Sequence, residues 1–245
     1  MRIVQRIARF AAGLVTGLVL ASPALAQGGG DHITLVVPFS PGGSTDMMAR
    51  LLSERLSKQL NQPIVVRNQG GGGANIGANA VAKSPPDGKT LLMMTSTHAA
   101  AASLYKNLPY DIRKDLAPVA RVAFFNIVLV THKDVPVKTL QEFVAYARQA
   151  TNSVSYSSSG VGAGQHLAGV LFSSMIKADM LHVPYKGGGE AKSAVLGGQV
   201  NAYFAPMEEV IPHIEDGTLR ALGVTSLERS PRLPNVPAIA EVVPG

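Results

Sequence analysis

One local design occurs twice in this chain: an apolar strand runs into a loop of small residues, and the loop opens directly into a helix. The first copy joins the apolar run Ile33–Val37 to a helix start at Ser44–Asp46. The second joins a strand at residues 153–157 to a helix from Gln165 through the loop Ser158–Gly164. A buried strand followed at once by a helix is typical of parallel sheets covered by helices. We therefore predict an α/β fold.

The two loops also indicate a chemistry. The first backbone N–H groups of a helix have no partner within the helix, and the aligned peptide dipoles leave partial positive charge there. Neither loop contains lysine or arginine, so an anion would be bound by backbone and hydroxyl donors. The alternative is that the glycines only form tight turns. We prefer the ligand role because the design recurs and because ligands of α/β sheets bind at the carboxyl ends of strands.

The first 26 residues have the features of a cleaved secretory signal. They contain three arginines, no acid, an apolar segment that is too short to span a bilayer, and the ending Ala24-Leu25-Ala26. Their removal lowers the formal net charge from +6 to about +3. No clustered basic face remains and the chain has no tryptophan, so we exclude nucleic acid as a partner.

The composition excludes further kinds of site. The chain has no cysteine, and therefore no disulfide, thiolate ligand or cysteine nucleophile. Its six histidines show no pairing at the spacing of a metalloprotease motif. We expect neither a metal nor a cofactor.

The first half predicts a parallel β-α-β unit. A strand at Ile64–Val66 follows a helix whose four-residue apolar spacing predicts a buried face: Met48, Leu52, Leu56 and Leu60. The glycine-rich segment Asn68–Gly77 lacks the Gly-Lys-Ser/Thr ending of a phosphate loop, so we interpret it as close backbone packing. A strand at Thr90–Met94 ends in the hydroxyl-rich loop Thr95–His98, which should line the same crevice as the first loop.

The second half is predicted to begin near Ala123, within the apolar segment Val119–Phe125. The capping box Thr139–Glu142 starts a helix that runs to about Ala150. After the second copy of the design, strands and helices alternate, at Met180–Tyr185, Glu190–Leu196, Val200–Phe204, Pro206–Asp216 and Leu219–Thr225.

Several motifs carry a family resemblance. In chain order they are Val37-Pro38-Phe39-x-Pro41-Gly42-Gly43-x-x-Asp46-x-x-Ala49-Arg50, Gly71–Gly77, Pro86-Asp87-Gly88, Leu108-Pro109-Tyr110, His182–Gly187 and Gly197-Gly198-Gln199-Val200. Their order and spacing resemble the tripartite tricarboxylate transporter substrate-binding receptors, also called the Bug family. The resemblance implies a two-lobed periplasmic binding protein of the type II topology, in which each lobe is a mostly parallel sheet flanked by helices and the ligand binds in the cleft between the lobes.

The resemblance also implies domain limits. Residues 1–26 are the signal peptide, 27–122 form lobe 1, 123–225 form lobe 2, and 226–245 return towards lobe 1. Relatives usually continue for several more elements that complete lobe 1, whereas this chain stops at Gly245. We therefore expect the remainder of lobe 1 to be missing here and some of its apolar surface to be exposed.

In the family, two loops grip the carboxylate of the ligand, partly through water. By position these loops are Phe39–Thr45 and Ser158–His166. With residues at other strand ends, they form the candidate ligand-binding set: Phe39, Ser40, Gly42, Gly43, Ser44, Thr45, Thr95, Ser96, Ser158, Ser159, Gly160, Gly162, Gly164, His166, Tyr185 and Phe204.

Some of these residues have two interpretations. His166 either donates to the ligand or caps its helix, and Tyr185 and Phe204 are either pocket walls or core. Asp46 is interpreted as a helix-start residue, because a carboxylate aimed into the loop would repel an anion. Lys186 is interpreted as a solvated charge.

The resemblance implies a monomeric, non-catalytic receptor in the periplasm. It would capture a small organic acid and deliver it to the membrane permease subunits of a tripartite tricarboxylate-type transporter, or to a sensor kinase. The alternative is an exported serine hydrolase-like enzyme with Ser158 or Ser159 as nucleophile and His166 as base. The chain lacks the GxSxG nucleophile motif and places no acid near His166 in sequence, which disfavours the enzyme.

Overall fold

The computed structural model describes residues 32–149 and 154–243. The predicted signal peptide lies outside the described residues, as do the predicted helix end at Ala150 and the first residue of the second strand–loop–helix copy. Within the described ranges, eight strands form two sheets. None of the described helices has both the length and the apolar character that crossing a membrane requires.

The first sheet is built from the first 73 described residues. Its elements are β1 (Ile33–Val37), α1 (Ser44–Leu60), β2 (Ile64–Asn68), α2 (Asn75–Ala82), β3 (Thr90–Leu92) and α3 (Ser96–Leu104). The strand order is β2-β1-β3, and both pairs are parallel, which confirms the predicted β-α-β unit. Val36 and Val37 of the central strand are fully buried, because helices or loops cover both faces of this strand.

The second sheet has five strands. Its elements are β4 (Ile127–His132), α4 (Leu140–Gln149), β5 (Val154–Ser158), α5 (Gly164–Ile176), β6 (Met180–Pro184), α6 (Gly188–Leu196), β7 (Ala202–Pro206), α7 (Met207–Glu215) and β8 (Leu219–Val224). The order is β6-β5-β7-β4-β8. Only β4 runs against the other strands of this sheet, so the sheet is mostly parallel, as predicted.

Helices cover both faces of the second sheet. On one face, α4 and α5 contribute Phe143 and Phe172 to a core that includes Phe204 of β7. On the other face, α6 and α7 contribute Val195 and Val210. Large buried aromatic and aliphatic side chains of this kind supply most of the stabilisation of such a core. The core of the first sheet is smaller and consists of Leu35, Val37, Phe39, Ala49 and Ala74.

The segment Thr95–His98 is helical rather than a loop, which corrects the prediction. It contains the N-cap and first turn of α3, and Thr95 N–H donates to His98 Nδ1 at 3.1 Å. This cap stabilises the N-terminus of α3. The alanine run that follows extends the helix because alanine has the highest helix propensity.

Other boundaries also differ from the predictions. Helix α6 begins at Gly188, two residues early, and α7 begins at Met207 because Pro206 is the last residue of β7. The apolar segment Val119–Phe125 forms no strand, and the side chain of Phe124 is 77% exposed. A guanidinium group covers one face of that ring, with Arg121 Cζ 4.4 Å from its centroid.

The predicted buried face of α1 is wrong in part. The helix buries Ala49 and Ser53, whereas Leu60 is 54% exposed and the other three residues of the predicted stripe are half-buried. The reason is that α1 packs against β1 and β2 of a sheet only three strands wide, which offers too little surface to cover the whole stripe.

Both sheets belong to one compact unit that starts at His32. The boundary predicted between residues 122 and 123 lies in the irregular segment between α3 and β4, and the division into lobes there stays a prediction. In the segment after β8, Ala238 pairs with Val224, and Ile239 and Val243 join the core of the second sheet. The return of residues 226–245 towards lobe 1 stays a prediction.

Candidate functional site

Asp46 organises the first predicted ligand loop, Phe39–Thr45. Its carboxylate accepts hydrogen bonds from Gly42 N–H at 3.0 Å, Arg50 Nε at 3.0 Å and Asn68 Nδ2 at 2.9 Å. Burial alone would raise the pKa of Asp46, but these donors together lower it below its usual value. Asp46 therefore fixes the turn into α1, in agreement with its interpretation as a helix-start residue.

The same loop lies against the segment that starts α6. Ser40 N–H donates to Lys186 O at 3.0 Å, and Ser40 Oγ donates to Glu190 Oε1 at 2.6 Å. A Cβ atom at Gly43 would stand only 3.2 Å from the backbone of Gly188. A larger residue at this position would push the two segments apart. No sequence signal pointed to this contact.

A buried chain of hydrogen bonds connects the two predicted ligand loops. Ser44 N–H, at the start of α1, donates to Glu209 Oε1, and Tyr203 OH donates to Glu209 Oε2 at 3.0 Å. Tyr203 OH also accepts from Gln165 Nε2 at 3.1 Å, and Gln165 Oε1 accepts from Ser159 N–H at 2.7 Å. The loops, which belong to different sheets, are thus coupled through three side chains.

The sequence-based reasoning missed Glu209, Tyr203 and Gln165. Glu209 follows Glu208 in the first turn of α7, where acids are common because they complement the helix dipole. Nothing in the local pattern therefore set it apart. Burial raises the pKa of Glu209 even though Ser44 and Tyr203 donate to it, and burial beside this carboxylate raises the pKa of Tyr203 as well.

The second loop, Ser158–His166, is held by its own side chains. Gly160 N–H donates to Ser158 Oγ at 3.1 Å, and Gly162 N–H donates to His166 Nδ1 at 3.1 Å. His166 thus accepts a bond from the backbone just before α5, and its role towards a ligand stays a prediction. Burial lowers the pKa of His166, which keeps Nδ1 unprotonated and able to accept this bond.

The second loop faces the glycine-rich segment after β2 and the start of α3. A Cβ atom at Gly73 would stand 3.0 Å from Val161 O, and one at Gly164 would stand 3.5 Å from Ser96 Oγ. Ser96 is thus brought together with the second predicted loop. Residues Gly71–Ala74 all have positive φ angles, and glycine adopts this conformation without strain. The close packing that we predicted for this segment occurs at the crevice itself.

A cavity of about 360 Å³ lies between these loops. Its volume is within the range of small-molecule sites. A second cavity, of about 580 Å³, shares Tyr185 and Glu190 with the first and extends to Gly42 and Lys192. The first cavity is lined by two glycine-containing segments, two phenol rings and two charged side chains, chiefly Gly71–Ala74, Ser159–Val161, Tyr105, Tyr185, Lys186 and Glu190.

Ser158 pairs with a different histidine from the one that the hydrolase alternative requires. Ser158 Oγ lies 2.6 Å from His182 Nε2, and the rings of His166 and His182 are tilted by 31° with centroids 4.1 Å apart. Burial, together with the neighbouring His166, lowers the pKa of His182 to about 4. Ser158 is fully buried, and within the described residues no carboxylate hydrogen-bonds to either ring. The cluster lacks the acid that orients the histidine of a serine hydrolase, and its buried serine is not accessible to a substrate.

The aromatic candidates have different positions. Phe39 belongs to the core of the first sheet. Phe204 is fully buried, with its ring centroid 5.8 Å from that of Tyr156 and 5.6 Å from that of Phe172. Tyr185, in contrast, lines both cavities. Among the residues that the structure describes, no three histidine, aspartate or glutamate side chains are grouped closely enough to hold a metal ion.

A family model described as the tripartite tricarboxylate transporter family receptor matches residues 48–245 of this chain. The protein BugT of Bordetella pertussis is 41% identical over 212 residues, which are 86% of this chain and 65% of BugT. The chain therefore spans slightly less than two thirds of the length of that relative.

Two solved structures from Rhodopseudomonas palustris are similar to this chain. MatC with bound malate is 34% identical with a TM-score of 0.81, covering 87% of this chain and 73% of MatC. A protein solved with adipate is 37% identical with a TM-score of 0.83, covering 87% of this chain and 72% of that protein. With the family model matching most of its length, this chain belongs to the tripartite tricarboxylate transporter receptor family.

Proposed function

We propose that this protein is a periplasmic receptor that binds a small carboxylate and does not transform it. Membership of a receptor family and the related structures with malate and adipate support this function. The observation that carries it is the cavity of about 360 Å³ between two glycine-containing loops. Without side chains in the way, backbone N–H groups of such loops can approach a carboxylate closely.

In the proposed complex, backbone donors of Gly72 and Gly73 hold one carboxylate of the ligand, and Lys186 supplies the opposite charge. The loop Phe39–Thr45 adjoins this cavity because Ser40 binds Glu190, which lines it. The N-terminus of α1 then receives a further acid group of the ligand, in keeping with the family resemblance. This arrangement favours small diacids over monoacids.

A thermal-shift panel tests the function. Malate, adipate, succinate and citrate are added to the mature protein at pH 7.5, with glucose as a neutral control. At least one acid should raise the melting temperature in a concentration-dependent manner, because a ligand that binds only the folded state stabilises it. A folded protein that responds to none of the acids contradicts the proposal.

A matched pair of variants locates the ligand. Lys186 lines the smaller cavity and Gln199 lines the larger one. If the acid binds as proposed, Lys186→Gln weakens binding about threefold to fivefold, because a partly exposed ion pair contributes about 0.6–1 kcal/mol. Gln199→Ala should bind as the unaltered protein does, because Gln199 lines only the larger cavity. The reverse result assigns the ligand to the larger cavity.

The partner is proposed from the family alone. We infer that the loaded receptor delivers its acid to the membrane permease of a tripartite tricarboxylate-type transporter, with a sensor kinase as the alternative. Uptake of the radiolabelled acid by cells that depends on the receptor gene supports delivery. A receptor-dependent change in transcription without uptake supports sensing instead.

A further inference from the structure

Glu209 is a buried carboxylate that joins the two halves of the molecule. Only 3% of its surface is exposed. It belongs to α7, which packs on the second sheet, yet its Oε1 accepts the backbone N–H of Ser44, the first residue of α1. Its Oε2 accepts the hydroxyl of Tyr203, which is itself fully buried.

The backbone around this carboxylate is packed too closely for side chains. A Cβ atom at Gly188 would lie 2.8 Å and 3.0 Å from the two oxygens of Glu209, and one at Gly43 would lie 3.2 Å from the backbone of Gly188. The carboxylate therefore occupies a fitted space formed by the starts of α1 and α6. Lys192 is the cation whose charge acts on it.

Stability alone is a poor explanation for an ionisable group at this position. A buried charge loses its hydration, and a neutral group of the same shape is often equally good or better for stability. The effect is visible here, since burial raises the pKa of Glu209 despite two hydrogen bonds and the helix dipole. The carboxylate of Glu209 is, however, the same chemical group that the N-terminus of α1 is proposed to bind in a ligand.

We propose that Glu209 is an internal ligand of the α1 N-terminus: its carboxylate holds the two halves together at Ser44, and an incoming acid must displace it. The second part rests on the proposed function. Two carboxylates at one N–H group would repel each other, and both cannot accept the same bond. Glu209 thereby lowers the affinity for every acid that reaches α1 and so acts as a threshold for binding.

The internal contact is tested without any ligand. In Glu209→Ala, the amide proton of Ser44 loses its acceptor and should exchange with solvent at least tenfold faster, as measured by two-dimensional NMR. Glu208→Ala is the matched control, because Glu208 is the exposed neighbour on the same turn. An unchanged exchange rate for Ser44 in a folded Glu209→Ala protein overturns the internal-ligand contact.

The competition is tested with Glu209→Gln, which keeps an acceptor oxygen but removes the charge. Titrations with malate and adipate at pH 7.5 should show dissociation constants at least tenfold lower than for the unaltered protein, with Glu208→Gln unchanged. Equal or weaker binding by Glu209→Gln overturns the displacement step. If none of the three proteins binds any acid of the thermal-shift panel, the proposed function fails, while the Ser44 exchange experiment still decides the internal contact.

Discussion

At the scale of single residues, the site is held by ionisable groups whose protonation states differ. Donors around Asp46 lower its pKa, so its carboxylate is ionised and fixes the first loop. His166 and His182 are kept neutral by burial, and each makes a hydrogen bond within the second strand–loop–helix copy. The two loops therefore respond to acid in different ways, and the histidine pair is the more sensitive.

The stability of the protein should fall in mild acid because of His182. Its pKa is about 4 in the fold and about 6.5 in an unfolded chain. Between these values the unfolded chain binds more protons, so the free energy of unfolding decreases as the pH falls from about 6.5 to about 4. His182→Gln should show a weaker decrease, measured by urea unfolding at pH 7.0 and 5.0.

The control for this experiment is His213→Gln. His213 lies at the end of α7, 3.7 Å from a carboxylate oxygen of Asp216, and is far from His166 and His182 in sequence. Its replacement should leave the acid sensitivity due to His182 intact. A wild-type pH dependence in His182→Gln would show that another group controls the effect.

At the scale of elements, helix α5 connects the second loop to the core. It begins at Gly164, where the loop ends, and ends at Ile176, and the next residue, Lys177, caps it in the left-handed conformation. Two of its glycines have opposite surroundings. A Cβ atom at Gly164 would make ordinary contacts, 3.5 Å from Ser96 Oγ, whereas one at Gly169 would collide with the ring of Tyr156.

Alanine substitutions at these glycines should have opposite effects. Gly169→Ala overpacks the helix against a buried ring and should lower the free energy of unfolding by about 1–3 kcal/mol. Gly164→Ala should be neutral or raise it by up to about 1 kcal/mol, because alanine is the better helix former. Urea unfolding of both variants measures the difference. Equal destabilisation by the two would contradict the packing of α5 on Tyr156.

At the scale of the whole molecule, the two sheets differ in how well they are buried. The second sheet has large cores on both faces, whereas the core of the first is small. Helices of both sheets expose apolar side chains, such as Leu60 on α1 and Leu171 on α5, so the difference lies in the size of the cores. Local opening is easier where less apolar surface is buried.

Hydrogen exchange should therefore show unequal protection of the sheets. Peptides that contain β1, β2 and β3 should exchange faster than peptides that contain β4, β5 and β7, when followed by mass spectrometry at pH 7.0. Saturation with an acid that binds should slow exchange in the first sheet most, because the ligand ties it to the second. Equal protection of both sheets without ligand would contradict this difference in stability.

Much of the fold was predictable because it depends on neighbours in sequence. The two strand–loop–helix copies and the helix-start role of Asp46 follow from residues within a few positions of one another, and the parallel pairing of β1 and β2 follows from the helix that joins these strands. Predictions failed where the outcome depended on how much surface one packed element offers another. The stripe on α1 has a helical period, but the sheet beneath it is too narrow to bury Leu60.

By itself, the sequence determined that the chain has two small-residue loops at helix starts, because the loop glycines, the capping residues and the strands before them are local signals. Only the tertiary structure decided what these helix starts bind. The acceptor for Ser44 N–H is Glu209, 165 residues away, and the link to Ser159 passes through Tyr203 and Gln165. Such pairs leave no local pattern, since they meet only when one sheet packs beside the other.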